Sequence, residues 1–244
     1  MRKILASVGI GNASVDTALP SSTVRPGETI DAEIRIVGGD AEQDVSSIDL
    51  DVETRVVTEE GYDDVDVDRV RLSEGFTIEP DQETTRQAEI TIPKTTPLTV
   101  GGTDVWIETE LGIDLAVDPE DTDYLDVKPT PQQQAVFDAL DSLSLSLRKS
   151  ECEYDYHNRY TDERFVQEFE FRPSGGPFAG DLDELEVIFA PDGDGLTLFV
   201  EVDRRGGLLS EALDADERKT SITVDSTDSQ QIARDIEAAV QQHI

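Results

Sequence analysis

The chain has 244 residues, with 55 acidic and 20 basic side chains and a formal net charge of −35 at pH 7. This charge repels phosphate over long distances, which argues against direct binding to DNA, RNA or anionic lipid. Only five of the basic residues are lysines, namely Lys3, Lys94, Lys128, Lys149 and Lys219. An acidic surface with scarce lysine is typical of the cytoplasm of a salt-in halophile, where molar salt shortens the screening length to roughly 3 Å. We therefore expect a cytoplasmic protein from a halophile, with an archaeon as the expected source.

The chain begins with a short apolar stretch that predicts a helix. Ile4, Leu5 and Val8 share one face at helical spacing, and we expect this face to dock on the rest of the protein. An alternative is a peripheral membrane adaptor that uses residues 2–8 for a weak membrane contact. No apolar run reaches the roughly 18 residues of a membrane span. The single cysteine, Cys152, excludes an internal disulfide framework and fits a reducing cytoplasm.

Residues 14 to about 128 have the pattern of short β-strands separated by turns. Thr29–Val37 alternates apolar and charged side chains, which predicts a strand with one solvated face. The turn residues Pro26 and Gly27 precede it, and Gly38-Gly39 ends it. Seven or eight such strands with Gly and Pro between them favour an antiparallel β-sandwich. A loop is predicted at 114–123.

The segment Pro129-Thr130-Pro131 predicts a boundary between two domains. After it, the pattern predicts a helix, a β-meander and a second helix. The predicted helices cover 132–143 and 229–242, and the predicted strands cover 143–156, 165–171, 185–189, 196–202 and 221–224. The fold class is therefore mainly β, with a sandwich over residues 1–129 and a β-rich lobe flanked by two helices over residues 130–244.

None of the apparent catalytic or cofactor motifs has the spacing that its chemistry requires. With only two histidines, a nucleophile–histidine–carboxylate arrangement has few ways to form. Glu153, Asp155 and His157 would share one face of an extended strand, and these three residue types can bind a divalent ion. They support the alternative of a metal-dependent hydrolase. We otherwise expect no catalytic residue, no cofactor and no metal.

Arginines are informative because basic residues are rare in this chain. Arg69 and Arg71 share one face of a predicted strand, and we expect ion pairs with nearby carboxylates. Arg204 and Arg205 follow a predicted strand and precede Gly206-Gly207, which predicts a flexible hinge. Ion pairs and packing within the fold are the default expectation here, and a flap that faces a partner protein is the alternative. With Phe178, which also lies beside a Gly-rich loop, Arg204 and Arg205 are the predicted contact residues for a protein partner.

Several runs of residues, taken in order along the chain, resemble the sporulation-control family, whose N-terminal half is arrestin-like. The clearest are Val105-Trp106-Ile107-Glu108-Thr109 and Cys152-Glu153-Tyr154. The others lie at 5–11, 26–28, 38–39, 116–119, 165–169, 176–178, 182–186 and 201–205. The resemblance implies an arrestin-like sandwich followed by the β-rich lobe, and an intracellular protein without a catalytic site that regulates or scaffolds by binding other proteins.

Overall fold

A computed structural model describes residues 13–72, 75–113, 117–204 and 219–244. The predicted N-terminal helix at residues 2–8 lies outside these ranges. Before the Pro129-Thr130-Pro131 segment the elements are β1 (Ser14–Ala18), β2 (Thr23–Val24), β3 (Thr29–Val37), β4 (Gln43–Thr58), β5 (Gly61–Leu72), β6 (Phe76–Ile78), β7 (Glu83–Thr91), β8 (Val105–Ile113) and β9 (Glu120–Val127). After it come α1 (Pro131–Ser142), β10 (Leu145–Tyr154), β11 (Phe165–Pro173), a 3₁₀ turn (Gly176–Phe178), β12 (Leu182–Asp192), β13 (Gly195–Arg204), β14 (Lys219–Val224) and α2 (Ser229–Gln241).

The chain divides into two compact units. Unit 1 consists of residues 1–55, 64–96 and 104–128, and unit 2 consists of residues 56–63, 97–103 and 129–244. The largest piece of unit 2 therefore begins at Pro129. Two short segments from the first half of the chain also belong to it, and β4 passes from unit 1 into unit 2 after Arg55.

Unit 1 contains a three-stranded antiparallel sheet in the order β1-β3-β7 and further strands paired around β4, β8 and β9. The alternation predicted for Thr29–Val37 is confirmed, because Ala32, Ile34 and Ile36 are fully buried and their neighbours face solvent. Gly38 ends this strand where a side chain has no room. A Cβ atom at this position would lie 2.1 Å from the carbonyl oxygen of Glu79.

Two parts of unit 1 differ from the sequence prediction. β9 begins at Glu120 and pairs with β8 along its length, so the loop predicted at 114–123 is shorter than expected. Trp106 lies on the face of β8 opposite Val105 and Ile107, yet its side chain is only 3% exposed. The guanidinium of Arg55 lies over its ring at 5.5 Å from the ring centroid. Covering by this arginine stem buries a side chain that alternation alone places at the surface.

Unit 2 contains the predicted sequence of helix, meander and helix. β10 to β14 pair antiparallel in chain order, and α1 and α2 precede and follow them. α1 starts at Pro131 because Thr130 forms a capping box with Gln133, and proline at the first helical position needs no N–H partner. The ring of Phe137 on α1 contacts those of Phe169 and Phe189 at centroid distances of 5.5 Å. The helix-facing side of the meander is therefore aromatic.

Gln167 holds the segment 97–103 in unit 2. Its amide oxygen accepts the N–H of Leu98 at 2.7 Å, and its amide nitrogen donates to the carbonyl of Leu98 at 2.8 Å. The same nitrogen also donates to the hydroxyls of Thr103 and Ser150 at 3.2 and 2.8 Å. Leu98, Thr103 and Ser150 are all buried. Gln167 thus lies among the aromatic residues of β11 because it supplies hydrogen bonds to the backbone N–H and carbonyl of buried Leu98.

Candidate functional site

The three residues predicted to contact a partner differ in how much of them the structure describes. Phe178 ends the 3₁₀ turn and is fully buried, so a partner cannot reach its side chain in this structure. The backbone of Arg204 ends β13 opposite Leu182, and the placement of its side chain is outside the described part of the molecule. Arg205 and the following residues to 218 also lie outside it. Phe178 is therefore removed from the predicted contact set.

Glu153, Asp155 and His157 do not form the strand face that was predicted for them. β10 ends at Tyr154, and the chain then turns. The carboxylate of Asp155 is buried and accepts the backbone N–H groups of His157, Arg159 and Tyr160 at 3.3, 2.5 and 3.3 Å. Burial alone raises the pKa of Asp155, but hydrogen bonds from the side chain and backbone of Arg159 lower it below its usual value. Asp155 therefore fixes the turn after β10 as a charged carboxylate whose oxygens are already engaged.

A different trio of carboxylates comes together in unit 1. Asp51, Glu53 and Asp66 each place one oxygen within 4.8 Å of the others. Arg69 already pairs with two members of this trio, because its guanidinium donates to Asp51 at 2.5 Å and to Asp66 at 3.2 Å. Arg71 similarly pairs with Asp49. The predicted ion pairs of Arg69 and Arg71 are thus confirmed, and they connect β4 with β5 on one face.

The described part of unit 2 has a cavity of about 250 Å³ on the face of the meander that is turned away from Phe137. The turn that follows β10 covers it with Arg159 and Tyr160. The sheet contributes side chains from four successive strands: Glu168 on β11, Glu186 and Ile188 on β12, Phe199 and Glu201 on β13, and Lys219 on β14. We call this feature the unit 2 cavity.

Strand register explains why these side chains meet. Glu168, Ile188 and Phe199 lie directly opposite one another in one row across β11, β12 and β13. Glu186, Glu201 and Lys219 form the next row on the same face. Rows two residues apart place diagonal neighbours about 7–8 Å from each other. The cavity therefore has an apolar row of Ile188 and Phe199 between carboxylates at both of its edges.

The positive groups around the cavity already have partners. The ammonium of Lys219 lies 2.8 Å from Glu201 and 3.4 Å from the hydroxyl of Tyr160. The guanidinium of Arg159 donates to Asp155 at 3.2 Å. The ring of Tyr160 packs edge-on against Phe199 at 5.0 Å between centroids. These contacts form the wall of the cavity.

The two remaining carboxylates of the cavity have no direct ion pair with a described residue. Neither the carboxylate of Glu168 nor that of Glu186 makes a hydrogen bond or ion pair with another described residue. Burial raises the pKa of Glu168 to about 8, and the charges of Glu186 and Glu153 add to this effect. Burial, together with the charge of Glu201, raises the pKa of Glu186 to about 7. The charge of Lys219 acts against this effect at Glu186 without cancelling it, so near neutral pH both carboxyl groups are partly protonated.

The sequence analysis did not select Glu168, Glu186 or Glu201. Carboxylates are so common in this chain that single acidic residues carried no signal. A more specific signal was present in β11, where Glu168 and Glu170 alternate with Phe169 and Phe171. Cross-strand register then decides which of these glutamates face other glutamates, and register is not visible in one sequence.

Comparisons with known proteins agree with this architecture. The family described as SpoOM protein matches residues 1–206. The sporulation-control protein spo0M of Bacillus subtilis (strain 168) is 39% identical over 209 residues, which cover 84% of this chain and 80% of the relative. The crystal structure of Spo0M, sporulation control protein, from Bacillus subtilis matches with a TM-score of 0.86 at 32% identity, covering 96% of this chain and 100% of that one.

These similarities define the class of protein as a β-rich protein of the sporulation-control type. The chain belongs to the SpoOM protein family. The family predicted from the ordered sequence runs is therefore confirmed, as is a mainly β fold with two flanking helices. No helix in the described part of the chain combines the length and the hydropathy needed to cross a bilayer.

Proposed function

We propose that this protein is a non-catalytic regulatory adaptor that binds other proteins through an arrestin-like fold in a salt-rich cytoplasm. Membership of a family that includes a sporulation-control protein supports a regulatory role. The net charge of −35 and the scarcity of lysine support a salt-rich compartment and basic rather than nucleic-acid partners. The process in which it acts need not be spore formation, because an archaeal halophile is not expected to form spores.

The observation that carries the proposal is an open edge of the sheet in unit 1. β7 (Glu83–Thr91) pairs with β3 on one side, and no described strand pairs with its other side. Nine residues of antiparallel strand extend for roughly 30 Å. An unpaired edge of this length offers backbone N–H and C=O groups to an added strand. We expect a partner segment to pair along β7.

The test starts from the tagged full-length chain, kept in molar KCl throughout capture from a halophile lysate. The recovered partner is then purified, and backbone amide exchange of the chain is measured with and without it. Slower exchange at residues 83–91, relative to β3, is the expected result. Reproducible capture with protection elsewhere would retain the adaptor role and reject β7 as its site. No reproducible partner, from protein shown to be folded in that salt, would reject the adaptor role itself.

A further inference from the structure

We propose that the unit 2 cavity receives a single lysine side chain of a partner protein, with the ammonium group between Glu168 and Glu186 and the alkyl stem along Ile188 and Phe199. This inference rests on the proposed function, because it states which chemistry of a protein partner the adaptor recognises.

The size of the cavity limits what can enter it. Pockets for drug-sized ligands begin at roughly 300 Å³, and this cavity has a volume of about 250 Å³. It is therefore suited to one side chain or one small molecule rather than to a nucleotide or a folded segment. The Tyr160 ring on one side and the buried Ile188 on the other bound a slot of apolar character.

The charges of the cavity select a cation. Its own positive groups, Lys219 and Arg159, are engaged with Glu201 and Asp155. Glu168 and Glu186 remain without any hydrogen bond or ion pair to a described residue. When both are ionised, these two half-buried carboxylates at diagonal positions repel each other, and an arriving positive charge between them offsets this repulsion.

A compact metal ion fits the cavity less well than an ammonium group. Among the described residues, Asp51, Glu53 and Asp66 in unit 1 form the trio with ligand atoms within 4.8 Å of one another, and the glutamates of the unit 2 cavity do not reach that spacing. Lysine carries its charge on a flexible apolar stem, so it buries the stem against apolar walls while the ammonium reaches the carboxylates.

Arginine is a poorer match than lysine. A guanidinium favours a single carboxylate that it binds through two parallel hydrogen bonds. Glu168 and Glu186 are diagonal neighbours on adjacent strands, which separates their backbone positions by about 7–8 Å. A compact ammonium with three donors is better suited to contact two carboxylates from different directions.

Binding is expected to be linked to protons. Ammonium binding favours the ionised forms of Glu168 and Glu186, so it releases protons near neutral pH. The other titratable and charged groups that act on these two carboxylates belong to the strands and the turn packed around them: Glu153 on β10, Glu170 on β11, Glu184 on β12, Glu201 on β13, Lys219 on β14, and Arg159 and Tyr160 on the turn.

The experiment uses the full-length chain at a fixed KCl concentration of about 1 M, where roughly 3 Å screening suppresses non-specific attraction. The probe is N-acetyl-lysine N-methylamide, and the matched control ligand is the same compound acetylated on its side-chain amine. Carbon NMR of the glutamate carboxyl groups reports binding and titration together. We expect the lysine probe to lower the pH midpoints of Glu168 and Glu186 by at least one unit and the acetylated control to leave them unchanged.

Three variants test the assignment of residues. Glu168→Gln and Glu186→Gln keep the shape of the side chain, and each should weaken binding of the probe at least tenfold. Glu237→Gln on α2 is the matched control, because Glu237 does not line the cavity and is not among the groups that act on Glu168 or Glu186. Its affinity should stay within twofold of the original chain. Equal binding by all three variants would overturn the site.

Other outcomes separate this inference from the adaptor role. If NaCl at the concentration of the probe changed the glutamate carboxyl resonances as much as the lysine probe does, the preference for lysine would be overturned. Butylammonium tests whether the cavity recognises any small amine. If it binds with the same free energy as the lysine probe, and if Glu168→Gln does not change capture of the partner, the cavity is a site for small amines and the proposed partner lysine is overturned. If the probe does not bind but capture of the partner is unchanged, the lysine site is overturned and the adaptor role stands. A missing response of the carboxyl resonances to the probe overturns the lysine site whether or not capture succeeds.

Discussion

Replacement of Gln167 by leucine tests how unit 2 retains the segment 97–103. The side chain keeps nearly the same size, but it loses both its donor and its acceptor. The backbone N–H of buried Leu98 then lacks the acceptor that it has at 2.7 Å in the original chain. The carbonyl of Leu98 still accepts from Val100, and the hydroxyls of Thr103 and Ser150 still contact each other.

The expected loss follows from these retained and lost partners. One orphaned buried N–H costs about 1–3 kcal/mol, and the other hydrogen bonds contribute about 1 kcal/mol each at most. Because three of the four partner groups keep an alternative contact, we expect Gln167→Leu to lower the free energy of unfolding by about 2–4 kcal/mol. Gln167→Glu should cost at least as much, because a carboxylate cannot donate to the carbonyl of Leu98.

Urea unfolding at a fixed molar KCl concentration measures the change, with amide exchange at 97–103 as a local readout. Gln87→Leu is the control, because Gln87 is an exposed strand residue whose amide donates to Glu33 at 3.2 Å. The control should change the free energy of unfolding by less than about 0.5 kcal/mol. If Gln167→Leu also fell below about 0.5 kcal/mol, the role assigned to Gln167 would be refuted.

Two further predictions concern a carboxylate and a glycine. The pKa of Glu168 is raised from 4.5 to about 8 in the folded chain. Between these pH values the folded form keeps a proton that the unfolded chain releases, so the free energy of unfolding falls as pH rises. Glu168→Gln lacks this titration and should therefore be the more stable protein at pH 8.5, by about 1–2 kcal/mol after solvent screening, but not at pH 4. Parallel thermal unfolding of both chains at these two pH values measures it, and a constant difference would contradict it. Gly38→Ala should cost more than about 2 kcal/mol, because the new Cβ meets a backbone carbonyl at 2.1 Å and the strand end must shift. Gly180→Ala, with open space around its Cβ but a positive φ of 102°, is the comparison by urea unfolding and should cost less, and a loss at Gly38 no larger than that at Gly180 would refute the steric argument.

Elements with strong local signals were predictable from the sequence. The bounds of β3 agree at both ends because alternation, a preceding turn and a following glycine all mark them. α2 was predicted within one residue, since Asp228 caps its first turn and its apolar residues recur at helical spacing. These signals are local in the chain, and each depends on the backbone within a few residues.

Features that depend on distant pairing were not predictable. The membership of 56–63 and 97–103 in unit 2 has no local signal, because it depends on pairing with β10 and on Gln167. The unit 2 cavity depends on the register of four strands in the same way. For Glu153, Asp155 and His157, the prediction assumed that β10 continues, whereas backbone N–H groups bound by Asp155 turn the chain.

The membership of two early segments in unit 2 has a consequence for synthesis on the ribosome. Val56 pairs with Cys152, and Leu98 binds the side chain of Gln167, 69 residues later. At about 5–20 residues per second, each early segment waits roughly 3–20 s before its partner strand is made. During that interval the end of β4 has β5 beside it but lacks β10 on its other edge, and the acidic residues Glu59 and Glu60 help to keep this open edge from associating with other chains.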